Sequence, residues 1–398
     1  MNVIIVNDYA HINGGASSMA LYTAKLLAMS GYKVILFAAV GPIDKTLMEY
    51  DNIRIICLGE YDILNNPNRV NAIVKGIWNL KAKVSFVDLL HEYSNTDTVI
   101  HIHTLQKAIT TSIIPASKKR GFKLIYHMHD YGLICPNLGL YNYNKQQVCR
   151  YEPMSFRCLL CNCDSRCYAH KVWRIFRQWV QCHIGGLPKS MDGGIFVSDF
   201  STKILSKYIE GRKVANPIEV SDRYRIKVDE NENVLYIGRI VPEKNPLMLA
   251  QAAKDLGLPV VFIGEGELKS KVQEINPKAI MTGWLTKDEM MKYLRTARYL
   301  VFPTLLYETQ GLVVSELAAY GIPAIISSHC AANDYIEDGV NGLCFDSHDI
   351  DSLKRAMLMM TDDCYVAELG KNAYEMFENT LSIYVSTLGQ YYDHLLRE

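Results

Sequence analysis

The sequence of 398 residues lacks features that would place it in several common protein classes. Its apolar runs are short and interrupted, well below the roughly 20 residues that a membrane-spanning helix needs. It also lacks an excess of charge of either sign, because Lys and Arg together number 42 and Asp and Glu together number 42. No global field therefore favours nucleic acid, and we expect no nucleic-acid partner.

The first residues also lack the pattern of a secretory signal peptide. The apolar run Val3–Val6 has only the length of a strand, Asp8 follows it closely, and no basic segment precedes it. Hydrophobic residues at 49% and charged residues at 21% are ordinary for a globular enzyme. The sequence therefore predicts a cytoplasmic protein with reduced cysteines and two or three domains.

Apolar runs of strand length alternate with helical stretches through most of the chain. The first run is followed by a loop with Gly14 and Gly15, a helical stretch, and a second strand over Lys33–Ala38. This order is typical of a doubly wound parallel sheet. A second series of the same kind begins at Val234, so the predicted fold class is α/β with two Rossmann-like domains.

The predicted first domain spans residues 1–216 and contains an insertion over about 132–188 that does not follow the alternation. The predicted second domain spans residues 217–375, and residues 376–398 should form a helix that packs back toward the first domain. Ligands of open α/β folds bind outside the carboxyl ends of the strands. We therefore expect the functional loops to face a central cleft between the two domains.

The segment after the predicted strand that ends near Phe302 carries the strongest chemical pattern. Glu308 lies in a loop, and a helix beginning near Gly311 carries Glu316. Free backbone N–H groups and the positive end of a helix dipole at such a turn suit a diphosphate. Glu308 can accept hydrogen bonds from sugar hydroxyls, and Glu316 can hold the hydroxyls of a ribose. The plainer alternative is a surface helix with two solvated glutamates.

A second pattern follows the strand that begins at Val234. Gly238 permits close approach of a ligand to the backbone, and Arg239 and Lys244 come directly after it. Two cations beside a diphosphate offset the charge that develops on it as a leaving group. The alternative is an exposed basic loop.

Together these residues resemble the "GR…EK" and "E-x7-E" motifs of glycosyltransferase family 4, the retaining enzymes with the two-domain GT-B fold. The resemblance covers nearly the whole chain. Its other landmarks are Asn13-Gly14-Gly15, His101-Ile102-His103, His129-Asp130-Tyr131, Val197-Ser198-Asp199, Asn216-Pro217-Ile218, Ile263-Gly264-Glu265-Gly266 and Gly283-Trp284. One departure is Gln310, where the family often has Phe, and it alters either the sugar contacts or the packing of the loop.

The resemblance implies a role for each matching residue. It places Arg239 and Lys244 on the donor diphosphate and Glu316 on the donor ribose. It places Glu308 against the transferred sugar and His129 over that sugar, which makes His129, Arg239, Lys244 and Glu308 the predicted catalytic residues. The other predicted donor-binding residues are Gly14, Gly15 and Gly238, Gly283 and Trp284 near the nucleobase, and Thr309, Gln310, Gly311 and Leu312.

The same resemblance implies transfer of a sugar from a nucleotide-sugar, with UDP favoured, to a glycan or a polyprenyl-diphosphate-linked saccharide in surface polysaccharide synthesis. It implies retention by front-face attack, in which the leaving phosphate takes the acceptor proton. No Asp-x-Asp motif lies near these loops, so we expect transfer to need no metal. The alternatives are a sugar-nucleotide epimerase of the same fold and a catalytically inactive binding protein that a structural metal stabilises.

His127 and His129 are two residues apart in a predicted strand, so both side chains should point to one face and Met128 to the other. His129 lies nearer the carboxyl end of that strand and is the better candidate for the site. The alternative is that both histidines are structural.

Six of the 11 cysteines fall within residues 135–167. Four thiolates can bind zinc tetrahedrally. Only Cys158 and Cys161, with two residues between them, have the spacing of a zinc ribbon. The predicted ligands of a structural zinc are Cys149, Cys158, Cys161, Cys163 and Cys167. An iron–sulfur cluster, disulfides and unmodified thiols are the alternatives.

The stretch 169–180 is basic and aromatic, contains no acidic residue and should form a helix. A helix of this type can lie on an anionic membrane, which would suit a lipid-linked acceptor at the inner face of the membrane. The alternative is that the helix packs its Trp and Phe side chains on the core of the domain.

Overall fold

The structure is a computed structural model that describes residues 1–220, 222–378 and 380–398. It divides into two compact units. Unit 1 comprises Met1–Leu138, Tyr151–Asn216 and Ser382–Glu398, and unit 2 comprises Gly139–Arg150 and Pro217–Leu381.

The first half of the chain contains nine strands and seven helices longer than one turn. In chain order they are β1 (Asn2–Tyr9), α1 (Gly15–Met29), β2 (Lys33–Val40), β3 (Ile53–Cys57), α2 (Arg69–Lys75), α3 (Leu80–Leu90), β4 (Thr98–Ile102), α4 (Ile114–Lys119), β5 (Lys123–His127), β6 (Tyr141–Asn142), β7 (Gln147–Val148), α5 (Phe156–Leu160), α6 (Tyr168–His183), β8 (Gly193–Phe196), α7 (Asp199–Leu205) and β9 (Gly211–Lys213).

The second half continues the alternation and ends in three helices. Its elements are β10 (Asn233–Ile237), α8 (Pro246–Leu256), β11 (Val260–Ile263), α9 (Lys269–Ile275), β12 (Ile280–Gly283), α10 (Lys287–Leu294), β13 (Ala297–Phe302), α11 (Leu312–Ala318), β14 (Ala324–Ser327), β15 (Gly342–Phe345), α12 (Ile350–Met359), α13 (Asp363–Met376) and α14 (Leu381–Arg397). No helix within the described ranges combines the length and the apolarity that crossing a bilayer demands.

Unit 1 is built on a seven-stranded parallel sheet of order β3-β2-β1-β4-β5-β8-β9. The register places Val3 beside both Val34 and Val99. These strands are nearly continuous apolar runs and are buried because both faces of a parallel sheet are covered. Their carboxyl ends meet at one edge, which is where the predicted loops of the first domain begin.

Helix α14 belongs to unit 1, although it is the last element of the chain. Its tyrosines lie in the same apolar cluster as β1 and α1. The hydroxyl of Tyr384 lies 2.8 Å from the hydroxyl of Thr23, and the hydroxyl of Tyr392 lies 2.7 Å from Nδ1 of His101. The carboxyl-terminal helix therefore supports β4, and through it the loops at the edge of the sheet.

The segment Gly139–Arg150 groups with unit 2, whereas the sequence placed it in an insertion of the first domain. It forms the antiparallel hairpin β6–β7. Tyr141 of this hairpin is buried, and burial together with the charge of Glu243 raises the pKa of its hydroxyl. The rest of the insertion stays with unit 1 and folds mainly as α5 and α6.

Unit 2 is built on a six-stranded parallel sheet of order β12-β11-β10-β13-β14-β15. Leu235, Phe262 and Val301 from three of its strands are fully buried in one core cluster. Each of β10, β11 and β12 ends in or beside a glycine. The predicted donor loops therefore begin at one edge of a rigid sheet.

Candidate functional site

Three glycines bring backbone segments together at the carboxyl ends of β10, β11 and β12. The amide of Gly238 donates to the carbonyl of Ile263 at 3.0 Å, and the amide of Gly264 donates to the carbonyl of Gly283 at 3.0 Å. A Cβ atom on Gly264 would lie 2.1 Å from the carbonyl oxygen of Gly238, so a side chain cannot fit there. This edge presents close-packed backbone, which suits a site where a ligand approaches the main chain.

Lys244 and Glu308 form an ion pair beside this edge. Nζ of Lys244 donates to Oε1 of Glu308, and the hydroxyl of Thr304 donates to the same oxygen at 2.9 Å. The two charged side chains are only 17% and 18% exposed, so their interaction is little screened by water. Glu308 has a positive φ of 50°, a strained conformation for a non-glycine residue. Such strain is typical of functional loops.

Arg239 is held differently from Lys244. Its side chain is 57% exposed, and its Nη2 lies 3.2 Å from Oε1 of the nearly buried Glu243. The hydroxyl of Tyr236 donates to the carbonyl of Arg239 at 2.7 Å and fixes the backbone. The guanidinium can therefore reach an incoming anion while its main chain stays in place.

The loop before α11 places its predicted residues in different surroundings. Gln310 is buried, and its Nε2 donates to the hydroxyl of Tyr335 at 2.7 Å. The side-chain amide of Gln310 therefore helps to hold the loop before α11 against the protein. Gly311 has a φ of 75°, and a Cβ on it would lie 2.9 Å from Cβ of Ala332. Thr309 precedes these two residues, Leu312 begins α11, and Glu316 is exposed on that helix.

Gly283 and Trp284 end β12 and begin the loop that follows. Gly283 has a φ of 77°, and a Cβ on it would lie 2.7 Å from Oε1 of Glu265. Trp284 is 74% exposed. An exposed indole beside a tight backbone turn offers a flat surface on which a planar ring can stack.

Gly14 and Gly15 lie in unit 1 at the start of α1. Gly14 has a φ of 94° and caps the helix without a side-chain hydrogen bond. Both residues are exposed, and a Cβ on either would meet no atom within 4 Å. The conformation of Gly14 requires glycine, whereas the glycine at position 15 leaves open space for a ligand.

Four histidines meet at the carboxyl ends of β4 and β5. Nδ1 of His103 lies 2.8 Å from Nε2 of His129, and Nε2 of His101 lies 3.2 Å from Nδ1 of His127. The rings of His127 and His129 stack with centroids 4.1 Å apart, so both point to one face as the alternation predicts. Nitrogen atoms of His101, His103 and His127 also lie within 4.8 Å of one another, which is compatible with a metal ion.

Burial lowers the pKa of every imidazole in this cluster. It lowers the pKa of His101 and of His129 to about 3, and it holds the pKa values of His103 and His127 well below the ordinary value. All four rings are therefore neutral near pH 7. His129 can donate or accept a hydrogen bond at the site, but it does not supply a positive charge.

Asp8 is a functional candidate that the sequence did not single out. Its carboxylate accepts hydrogen bonds from the backbone amides of Lys107, Ala108 and Ile109, each at 2.9 Å. Burial raises the pKa of Asp8, and these hydrogen bonds oppose the rise. The carboxylate ties the loop after β4 to the end of β1. A buried acid at the end of an apolar strand is the signal that could have identified it.

The cysteines predicted to bind zinc have unequal surroundings. Cys158 and Cys163 are buried, Cys149 and Cys161 are half-buried, and Cys167 is exposed. In the part of the chain that the structure describes, no three cysteine sulfurs form a group of metal-binding size. Zinc at these cysteines stays a prediction.

Helix α6 turns its apolar side outward. Phe176 and Trp179 are 53% and 44% exposed, whereas Lys171, Arg177 and Gln178 are buried. The guanidinium of Arg177 donates to two backbone carbonyls, and Nε2 of Gln178 donates to a third. Packing of the two exposed rings on the core, the alternative from the sequence, is therefore not what the structure shows.

Comparisons with known proteins give both a family and a fold. Residues 220–376 match the family model "Glycosyl transferases group 1". The chain is 27% identical over 161 residues to the UDP-Gal:alpha-D-GlcNAc-diphosphoundecaprenol alpha-1,3-galactosyltransferase of Escherichia coli, covering 37% of this chain and 41% of that protein. The matches span 34% to 54% of the lengths of the first four curated relatives.

Two solved structures cover essentially the whole chain. The sucrose-phosphate synthase from Thermosynechococcus elongatus aligns with a TM-score of 0.70 and 16% identity, over 100% of this chain and 99% of that one. Anabaena Alr3699/HepE in complex with UDP aligns with a TM-score of 0.65 and 14% identity, over 99% and 100%. The predicted fold class, α/β of the GT-B type with two Rossmann-like domains, is confirmed.

Proposed function

We propose that the chain, whose residues 220–376 match the group 1 glycosyl transferases, transfers a sugar from a nucleotide-sugar to a glycan or lipid-linked saccharide. UDP is the favoured nucleotide, because the Escherichia coli relative is named for a UDP-sugar and Anabaena HepE binds UDP. The proposed setting is surface polysaccharide synthesis at the inner face of the membrane.

The observation that carries this proposal is the Lys244–Glu308 pair beside the exposed Arg239. In the free protein Glu308 accepts from Lys244 and Thr304. A donor diphosphate offers Lys244 a second anion, and a sugar hydroxyl offers Glu308 a second donor. Because both partners of the pair would gain a ligand group, the pair can open without leaving either side chain without a hydrogen-bond partner. Arg239 then adds a second cation on the diphosphate.

We propose that transfer retains the anomeric configuration. The hydroxyl of Thr304 donates to Oε1 of Glu308, which suits Glu308 to holding the sugar rather than to attacking its anomeric carbon. In the front-face route the bond from the anomeric carbon to the leaving phosphate oxygen breaks as the acceptor oxygen bonds to that carbon. The acceptor proton passes to the departing phosphate. The protein contributes charge stabilisation and positioning.

His129 and Glu316 complete the proposed donor contacts. His129 has a neutral ring, so it can hydrogen-bond to a sugar hydroxyl without disturbing the charge balance around the diphosphate. Glu316 is exposed on α11 and can accept from both hydroxyls of a ribose. With Arg239 and Lys244 serving the diphosphate, we propose that transfer needs no divalent metal.

We further propose that α6 contacts the membrane. Phe156 and Leu160 of α5, together with Phe176 and Trp179 of α6, are exposed apolar side chains. Nε1 of Trp173 on α6 donates to a backbone carbonyl of α2. Helix α2 in turn has the exposed apolar side chains Val70, Ile73 and Val74. Here "apolar surface" means these seven exposed side chains. An apolar area shared by three helices marks an interaction site.

The charge around the apolar surface favours a bilayer with anionic lipids. Arg157 and Arg166 are exposed in the insertion, and Arg69 is exposed at the start of α2. The only acidic residue in the segment 153–191 is Asp164, which is buried and pairs with Arg174 at 2.8 Å. An amphipathic surface with basic residues at its border is the kind that binds at a lipid interface.

A thermal-shift screen with UDP, GDP, ADP and their sugar conjugates, with and without a chelator, tests the donor proposal. A ligand at 100 times its Kd stabilises the folded state by about 2.7 kcal/mol. We expect a shift with UDP and UDP-sugars that the chelator leaves unchanged. A shift only with another nucleotide would contradict the UDP donor, and no shift with any of them would contradict the transferase proposal.

Product analysis separates transfer from the related reactions. With a UDP-sugar and no acceptor, a transferase is expected to release free sugar slowly by hydrolysis. An epimerase would instead convert the sugar while it stays on the nucleotide, and a silent binding protein would release nothing. Either of these two results in folded protein would overturn the proposal.

A further inference from the structure

The loop that carries Glu308 is bound by the segment that follows β14. The amide of Ala331 in that segment donates to the carbonyl of Tyr307 at 2.8 Å. Nε2 of Gln310 donates to the hydroxyl of Tyr335, in the same segment, at 2.7 Å. Two hydrogen bonds to one segment therefore lie on either side of Glu308 in the sequence, one at the residue before it and one two residues after it.

Packing adds a third contact between the loop and this segment. A Cβ atom on Gly311 would lie 2.9 Å from Cβ of Ala332, so the two backbones approach too closely for a side chain at position 311. Gln310, next to Gly311, is only 3% exposed. Because a buried amide that loses its acceptor costs more than the hydrogen bond itself contributes, the bond to Tyr335 favours one conformation of the loop.

The backbone of Tyr335 is itself fixed. Its amide donates to the carbonyl of Ala332 at 3.0 Å, and Nδ2 of the buried Asn341 donates to its carbonyl at 2.9 Å. Oδ1 of Asn341 in turn accepts from the amide of Glu337 at 2.8 Å. The hydroxyl that Gln310 contacts thus belongs to a residue whose main chain is held on both sides.

The conformation of Glu308 depends on such support. Its φ of 50° is unfavourable for a residue with a side chain and persists only where the surroundings fix it. In the free protein Lys244 and Thr304 both donate to its carboxylate. In the proposed function Lys244 moves to the donor diphosphate, and Glu308 loses that contact. The contacts of Tyr307 and Gln310 then do more of the work of holding the loop in place.

We propose that Tyr335 is a positioning residue for sugar transfer, which acts through Gln310 on the carboxylate of Glu308. This inference rests on the proposed function, because it concerns the state in which Glu308 contacts the transferred sugar. The hydrogen bond from Gln310 to Tyr335 keeps the loop in the conformation that presents this carboxylate. A misplaced carboxylate weakens the transition state and leaves the binding of the nucleotide unchanged, so the bond affects kcat.

The variant Tyr335→Phe removes the accepting oxygen and keeps the ring. We expect kcat with a UDP-sugar to fall about fivefold, the loss expected for one hydrogen bond, while the Kd of UDP stays unchanged. Steady-state kinetics measures kcat, and calorimetric titration with UDP alone measures Kd. Tyr293→Phe, which changes a half-buried tyrosine of α10, is the matched control and should keep both constants.

A double variant separates positioning from stability. Tyr335→Phe leaves the amide of Gln310 without this acceptor and should lower the Tm. Adding Gln310→Met removes that amide, and replacing both partners of a hydrogen bond by apolar groups of similar shape is nearly neutral for stability. We expect the double variant to regain most of the lost Tm and to keep the low kcat. If Tyr335→Phe does not fold, Gln310→Met alone breaks the same bond and should give the same decrease in kcat.

Two results would overturn the inference and leave the proposed function intact. One is a wild-type kcat in both Tyr335→Phe and Gln310→Met. The other is recovery of kcat together with Tm in the double variant, which would show that the bond only stabilises the fold. A wild-type protein that binds UDP but releases no sugar from a UDP-sugar would instead contradict the proposed function, and the inference with it.

Discussion

Nδ1 of His103 lies 2.8 Å from Nε2 of His129, so the histidine predicted to reach the sugar is held by a histidine on the neighbouring strand. The hydrogen bond occupies one nitrogen of each ring. It therefore helps to set the orientation of the His129 ring. His103 is a positioning residue, while His129 is the residue proposed to touch substrate.

Replacing His103 with Asn should lower kcat and leave the donor KM nearly unchanged. The loss of one positioning hydrogen bond is worth about 1 kcal/mol, or roughly a fivefold decrease. Steady-state kinetics of donor turnover measures both constants. His101→Asn is the matched control, because the His101 ring pairs with His127 instead. Equal losses of kcat in the two variants would show that the bond to His129 has no special role.

The histidine cluster should make the protein acid-sensitive. The folded pKa values of the four rings are depressed, whereas the unfolded value is about 6.5. The unfolded chain then binds more protons below pH 6.5, so stability is lost as pH falls from there toward 3. The expected loss is about 1.4 kcal/mol per ring for each pH unit.

Urea unfolding at several pH values between 5 and 8 measures this dependence. His127→Gln should reduce the slope of stability against pH, because one depressed imidazole is removed. His348→Gln, which changes an exposed histidine of unit 2, is the control and should keep the slope. A stability that is flat from pH 7 to 5 would contradict the neutral, buried cluster.

Lys244→Ala and Arg239→Ala should each lower kcat/KM by about 10²- to 10³-fold, the loss expected for one partner of a developing charge. Lys244→Ala should also destabilise the free protein, because Glu308 keeps its burial and loses its cation. Arg239→Ala should destabilise it less, because the exposed guanidinium of Arg239 is screened by water in its pair with Glu243. Kinetics and thermal unfolding of both variants, with Lys254→Ala as an exposed control, measure the two effects. Full activity in either variant would remove that residue from the diphosphate site.

Glu316→Gln should mainly raise the KM of the nucleotide-sugar. A ribose contact is the same in the ground state and the transition state, so its weakening changes binding and leaves kcat little altered. Donor titration at saturating acceptor measures the change, and Glu274→Gln on α9 is an exposed control. An unchanged KM would place the ribose elsewhere.

The double variant Phe176→Ser and Trp179→Ser should bind anionic vesicles more weakly than the wild type. Each substitution removes apolar area that a bilayer would cover. Covering such area contributes a binding free energy of about 25 cal/mol per Å². Vesicle flotation at low and high salt measures binding, and turnover with a water-soluble acceptor should stay unchanged. Leu358→Ser with Met359→Ser, an exposed apolar pair on α12, is the matched control. Equal flotation of both double variants and the wild type would exclude α6 as the contact.

The sequence by itself determined the two sheets and the chemical type of the site. Predicted strands such as Lys33–Ala38 and Val260–Ile263 correspond to β2 and β11, because apolar runs of strand length separated by helices can be buried only in a covered parallel sheet. The glycines and charged residues of the donor loops were also visible, since their type and order carry the resemblance.

The tertiary structure alone decided which of these residues meet. Lys244 and Glu308 are 64 residues apart, and His103 and His129 are 26 apart, so their pairing depends on strand order and register. The sequence also showed that the stretch 169–180 is basic and aromatic, but composition does not say which side of the helix faces the protein. Buried carbonyls that accept from Arg177 and Gln178, and the sulfur of Cys158 that accepts from Lys171, turn its polar side inward.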